Sequence, residues 1–207
     1  MTPDTAGTFN QTAASATTST VYTSSIYFIT IQMTTVLPIG SYIRITLPSE
    51  ISDKDASSND IFNSVVVSST LNTPTVSETG LSSSPQYFEL TNIVTSSSNY
   101  VSRGSAIFIQ ISSLLNPPST ATSGSFSVSF YDSSNNEYET QTTGMTITAT
   151  AGSLAEGTSP TLSASSTAVL DSVNFSFSLQ AGTAIQTGSA GSVVVTFPSE
   201  FTLTAGT

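Results

Sequence analysis

One stretch of this chain is stated twice. Gly40-Ser41-Tyr42-Ile43-Arg44-Ile45-Thr46-Leu47-Pro48-Ser49-Glu50-Ile51 returns as Gly191-Ser192-Val193-Val194-Val195-Thr196-Phe197-Pro198-Ser199-Glu200-Phe201. Ile43, Ile45 and Leu47 fall on Val193, Val195 and Phe197, a shift of about 150 positions that marks a repeated structural unit. Upstream of each copy lies another matching segment, Tyr27-Phe28-Ile29-Thr30-Ile31-Gln32 against Phe175-Ser176-Phe177-Ser178-Leu179-Gln180. A period this long is a whole domain, not the rung of a solenoid. The expected organisation is therefore an extended N-terminal arm or first strand over 1–24, a complete domain over 25–150, a linker over 151–166, and the first strands of a second, incomplete repeat over 167–207. A chain that stops two strands into a repeat is expected to be a piece of a longer one.

Within the repeat the hydrophobic period is two. Tyr27, Ile29, Ile31 and Met33 alternate with more polar neighbours, and Ile107, Ile109 and Ile111 do the same further on. Phe126, Val128 and Phe130 alternate strictly with serine. Such alternation specifies half-buried β-strands. Pro48 and Pro198 close their strands, because proline has no N–H for the ladder. Short strands separated by turns, with no 3.6-residue pattern of useful length, predict an all-β fold. We read it as an antiparallel immunoglobulin-like β-sandwich with an extended N-terminal arm and a partial second β repeat. A cysteine pair and a core tryptophan are both missing, so it is no antibody-type domain.

The polar surface of such a sandwich must come from hydroxyls. Ser and Thr supply 76 of 207 residues, while charged residues are 8% and the net charge is −10. Arg44, Lys54 and Arg103 are the only bases, too few to displace counterions from nucleic acid or to hold an anionic membrane. With no Cys and no His, the chain has neither thiol nor imidazole for catalysis or zinc. No apolar run reaches transmembrane length, and membrane insertion is not expected. Lys54 sits in an acidic polar loop, which rules out the lysine–asparagine isopeptide cross-links of some pilin sandwiches.

Taken together, Leu37-Pro38-Ile39-Gly40-Ser41-Tyr42-Ile43 running on to Leu47-Pro48-Ser49, Ile111-Ser112-Ser113-Leu114-Leu115-Asn116-Pro117-Pro118-Ser119-Thr120, Gly124-Ser125-Phe126-Ser127-Val128 and Tyr131-Asp132-Ser133 resemble the immunoglobulin-like repeats of large cell-surface or extracellular fibre proteins of ciliates and other protists. The resemblance spans most of 20–150 and resumes at 167–207. It implies an extracellular or cell-surface structural protein, and it carries over no catalytic residue and no cofactor.

Candidate sites are sparse. Asp53, Asp55, Ser57 and Asn59 place oxygens at alternate positions, as a calcium loop does, but Ser58 stands where the loop needs glycine and no glutamate occupies the twelfth position. A solvated loop is the favoured reading. Glu137 and Glu139 are spaced to share one strand face and are read as a solvated pair, not as an acid and base. The chain is accordingly read as no enzyme. Asn10-Gln11-Thr12 and Asn174-Phe175-Ser176 are glycosylation sequons, with Asn174 expected to face solvent; chance occurrence in so Ser/Thr-rich a chain is the competing reading.

Two strands cannot bury Phe175, Phe177, Val193, Val195 and Phe197 unaided. The expectation is a homopolymer, with the arm (Phe9, Val21, Tyr22) or the partial repeat of one subunit docking on the next through strand complementation. The competing expectation is an adhesion or carbohydrate-binding module that displays loops, with Tyr100 or Tyr138 as contacts.

Overall fold

The structure is a computed structural model that describes residues 7–8, 11–54, 59–67, 75–77, 81, 84–97, 101–152, 161–166, 173–178, 180 and 194–202. It is all-β, and no helix among the described residues is long and apolar enough to cross a membrane. Among the described residues there are twelve strands: β1 (Gly7–Thr8), β2 (Gln11–Ala16), β3 (Ser24–Gln32), β4 (Tyr42–Thr46), β5 (Ser64–Val67), β6 (Thr75–Ser77), β7 (Tyr87–Thr91), β8 (Ala106–Leu115), β9 (Ser127–Tyr131), β10 (Glu137–Gln141), β11 (Thr161–Ala164) and β12 (Phe175–Ser178). They form a six-stranded sheet in the order β1-β10-β9-β4-β7-β6, a four-stranded sheet in the order β2-β3-β8-β5, and a two-stranded pair β11-β12. Every pairing is antiparallel except that of β1 with β10.

The alternation in the sequence becomes the alternation of the pleat. In β3, Tyr27, Ile29 and Ile31 are fully buried while Phe28 stands out at 40% exposure. Opposite them across β8 lie Ile111, Ile109 and Ile107, also buried. In the other sheet Ile43 faces Leu90 and Phe130, and Ile45 faces Phe88 and Val128. Side chains from both large sheets belong to one hydrophobic cluster, bridged by the ring contact of Tyr27 with Phe126 at 5.7 Å. Each isoleucine withdrawn from water contributes about 2 kcal/mol, which is how β-branched rows hold a fold with no disulfide.

Ser113 makes β8 longer than its pattern suggests. It lies at φ 64°, between the pairs Tyr27–Ile111 and Ser25–Leu114, where the register shifts. A bulge inserts one extra residue and re-aims the side chains beyond it. Leu114, which plain alternation would turn outward, is therefore fully buried. Gly40, at φ 82°, makes the turn that feeds β4, a conformation glycine adopts without steric cost.

The N-terminal segment is part of the sheets. β2 pairs along β3 from Gln11–Gln32 to Ala16–Tyr27. Beyond it, Val21 donates its N–H to Thr150 O at 2.9 Å and Tyr22 donates to Pro117 O at 3.2 Å. A buried knot holds this crossing in place: the Tyr27 hydroxyl donates to Asn116 Oδ1 at 2.7 Å, and Asn116 Nδ2 donates to Thr18 O at 3.0 Å and Thr20 O at 2.8 Å. Burial raises the phenol pKa of Tyr27, and that of Tyr138 likewise.

Two outcomes are expected. Tyr27→Phe leaves Asn116 Oδ1 buried without its donor and lowers stability by about 1–3 kcal/mol; urea denaturation with unchanged slope checks this. Both tyrosines stay protonated in the folded state while their unfolded counterparts ionise near pH 10, so folding stability falls as pH rises above that value. Melting temperatures through that range should drop less steeply in Tyr27→Phe than in the parent chain.

Candidate functional site

The two-stranded pair reproduces the register of β2 on β3. Ala164 lies opposite Phe175 and Leu162 opposite Phe177, as Ala16 lies opposite Tyr27 and Ala14 opposite Ile29. One shift, 148 positions, carries each pair onto the other. The bonds that close the hairpin obey it too. Thr17 N donates to Ile26 O at 2.9 Å and Ser165 N to Asn174 O at 3.0 Å. Ile26 N donates to Thr17 Oγ1 at 3.1 Å and Asn174 N to Ser165 Oγ at 2.9 Å. Farther on, Ile51 N donates to Pro48 O at 3.0 Å, and Phe201 N to Pro198 O at 3.1 Å.

Four phenylalanines gather over this pair. Phe175 meets Phe201 edge-on at 5.4 Å and Phe197 at 5.8 Å, while Phe177 meets Phe197 at 5.9 Å. Their counterparts in the larger unit are Tyr27, Ile29, Leu47 and Ile51, none more than 2% exposed. Here Phe177 is 44% and Phe201 46% exposed, and Val195 is 42% exposed. The same register therefore carries a finished core in one place and an uncovered one in the other. Residues 194–197, expected as a strand, lie outside any strand, and Val194 is 82% exposed. A strand needs a neighbour to pair with, and among the described residues no strand is paired with this segment. Val193 lies outside the described residues, as do Phe9 and Asn10.

The backbone of β12 is directed unequally. Asn174 spends its carbonyl and N–H on the β11 side, and successive residues of an antiparallel strand alternate sides. Phe175 and Phe177 thus turn their N–H and C=O toward the other edge. The larger unit follows the same rule, since Met33 donates to Ser105 O at 3.0 Å on the β8 side of β3. Among the described residues no third strand pairs with β12.

The remaining sequence candidates fall elsewhere. Asp53 is buried, and its Oδ1 accepts from Gln86 Nε2 at 2.9 Å; Asn59 is exposed, and Asp55 and Ser57 lie outside the described residues. Lys54 pairs with Asp60 across that loop. Asn174 is exposed at the start of β12, while Val21 and Tyr22 are half-buried in the bonds described above. Tyr138 is half-buried against the core and donates to Ser41 Oγ at 3.2 Å; Tyr100 lies outside the described residues.

Glu139 corrects its sequence reading. It is fully buried, not solvated. Glu137 pairs with Tyr131 and Glu139 with Phe130, so Tyr138 is the extra residue of a bulge and the two carboxylates no longer share a face. Glu139 accepts from Thr34 N at 2.6 Å, Thr34 Oγ1 at 2.6 Å and Thr35 Oγ1 at 2.8 Å, which ties β10 to the turn after β3. The sequence also hid a stack on the outer face of the six-stranded sheet. The Arg44 guanidinium lies over Tyr87 at 4.8 Å and Tyr131 at 4.9 Å, and Tyr131 stacks on Tyr42 at 4.8 Å. Arg44 Nη2 donates to Glu89 Oε1 at 2.6 Å. Only the odd-even placement of Tyr42 and Arg44 within one strand hinted at this.

No family model matches the chain, and no curated protein matches it. Among solved structures, BslA, a bacterial hydrophobin, is 15% identical over 69% of this chain and 100% of its own, with a TM-score of 0.35. AvmM, which catalyzes macrocyclization in alchivemycin A biosynthesis, is 10% identical over 70% of this chain and 93% of its own, with a TM-score of 0.32. A family GH18 chitinase from Chromobacterium violaceum is 10% identical over 66% of this chain and 19% of its own, at 0.30. Likenesses this distant carry no functional argument.

Replacing Glu139 with alanine strands three donors and is expected to cost about 3 kcal/mol. The glutamine variant, which keeps one acceptor oxygen, should lose roughly half as much, as measured by urea denaturation.

Proposed function

We propose that this is a structural extracellular protein, built from immunoglobulin-like β-sandwich repeats, that assembles head-to-tail into filaments by strand complementation between subunits or repeats. The strand orders support the sandwich reading: β2-β3-β8-β5 corresponds to the A-B-E-D sheet of such folds and β10-β9-β4 to G-F-C. β7 and β6 extend the second sheet as variable-type domains do, but they follow β5 in the chain and so depart from the usual order. The resemblance to ciliate and protist surface repeats and the hydroxyl-rich, cysteine-free composition favour an extracellular or cell-surface location. Asn174, exposed in its sequon, is the described residue best placed for a covalent glycan.

The uncovered aromatic cluster on β11–β12 is the observation that carries this reading. An isolated two-stranded hairpin is marginal in water, and exposed phenylalanines in a register that elsewhere forms a core call for a covering partner. The partial repeat is the favoured acceptor. The N-terminal segment is the weaker donor, since β2, Val21 and Tyr22 make their bonds within their own unit. A heterologous contact between an acceptor at one end and a complementary surface at the other does not close, and propagates as a fibre.

Electron microscopy with a mass measurement on the purified chain tests this. Regular filaments that disappear in a Phe177→Asp, Phe201→Asp double variant are the expected result. Monodisperse monomers of the parent chain at high concentration would instead favour a display or adhesion module.

A further inference from the structure

We infer that the edge of β12 away from β11, with which no described strand pairs, is a binding site for one extended strand with the pattern of β8: uncharged, antiparallel, and carrying a branched apolar residue at every second position. This inference rests on the repeat reading proposed above and adds the chemistry and register of the partner.

The larger unit shows what completes a hairpin of this register. Along the second edge of β3 runs β8, with Tyr27 opposite Ile111, Phe28 opposite Gln110, Ile29 opposite Ile109 and Thr30 opposite Phe108. Carried over by the same shift, the arriving strand sets an Ile111-type residue against Phe175, a Gln110-type residue against Ser176 and an Ile109-type residue against Phe177. Phe175 and Phe177 present the backbone groups that receive it. The edge supports strand addition in composition as well. Phe175-Ser176-Phe177-Ser178 contains no charge and no proline, the residues by which exposed edges are normally protected. Ladder bonds then supply affinity, and the alternate side chains supply register.

Apolar character points the same way. In the larger unit the β3 positions are Tyr27 and Ile29, and the β8 residues beside them are isoleucines, all buried. In the smaller pair both β12 positions are phenylalanine, so an arriving branched aliphatic residue meets an apolar ring at each inward position and both leave water together. Polar or acidic strands are disfavoured, because their side chains would be set against those rings without hydrogen-bond partners.

A synthetic peptide of residues 105–115, flanked by lysines for solubility and carrying a nitroxide in place of Gln110, provides the test against the full chain. With isotope-labelled protein, paramagnetic broadening is expected to be strongest at the Ser176 amide and to fall off along β12 in both directions. A peptide with serine at positions 107, 109 and 111 should bind at least about tenfold more weakly. Phe177→Lys should abolish the broadening, while Ser163→Lys on the far strand leaves it. Broadening centred on β5 or β2, or none up to about 1 mM peptide, a concentration at which even weak association is visible, overturns the inference. The same samples are imaged for filaments. Peptide binding without filaments retains the site and removes the polymer reading; filaments that survive Phe177→Lys retain the polymer and remove the site.

Discussion

Ile29 and Ile45 belong to different sheets, and neither is dry until the other sheet is in place. That mutual dependence governs everything else in the molecule. A strand has two faces, and an alternating strand can bury one of them only by facing a second layer. The larger unit meets this demand with two sheets that share one core, in which Phe126 meets Tyr27 and Phe62 meets Phe88. Among the described residues the smaller pair has the first layer alone. Its register is correct and its hairpin bonds are made, yet Phe177 and Phe201 stand nearly half exposed. Local pairing and burial are thus separable, and this chain displays both conditions side by side.

Much of the fold was legible because it follows from a period of two. Tyr27, Ile29, Ile31, Ile107, Ile109, Ile111, Phe126, Val128 and Phe130 were expected inward and are buried. The shared register of β2–β3 and β11–β12 follows from the same period, since matching inward residues define matching pairs. What stayed hidden depends on departures from that period. The bulge at Ser113 cannot be read from a serine among serines, so Leu114 was not expected in the core. The bulge at Tyr138 likewise turned an apparently solvated acid, Glu139, into a buried one. β10 itself, Glu-Tyr-Glu-Thr-Gln, carries no alternation strong enough to announce a strand. Residues 194–197 show the converse: strong β-propensity in Val-Val-Thr, with no strand paired to it among the described residues, gives no strand, because propensity in sheets is mostly packing.

Phe175 and Phe177 were legible as apolar positions, but not as part of a sheet edge. Which side of β12 is open emerges only from the hydrogen bonds of Asn174 and Ser165, and these are backbone facts that no residue type encodes. The Arg44 stack is similar. Each of Tyr42, Tyr87 and Tyr131 reads as ordinary sandwich filling until cross-strand register places them around one guanidinium.

Hydroxyls tie the strands laterally where other proteins use ion pairs. Ser129 bonds Thr140 at 2.7 Å, Thr122 bonds Thr148 at 2.9 Å, and Ser123 and Ser125 accept the N–H groups of Ile147 and Met145. These contacts carry no net charge, so counterions have little to screen. What salt does screen is the mutual repulsion of an excess of ten negative charges. Brine should therefore leave the cohesion of each unit intact while easing the approach of one unit to the next, and dilute water should keep units apart without loosening them.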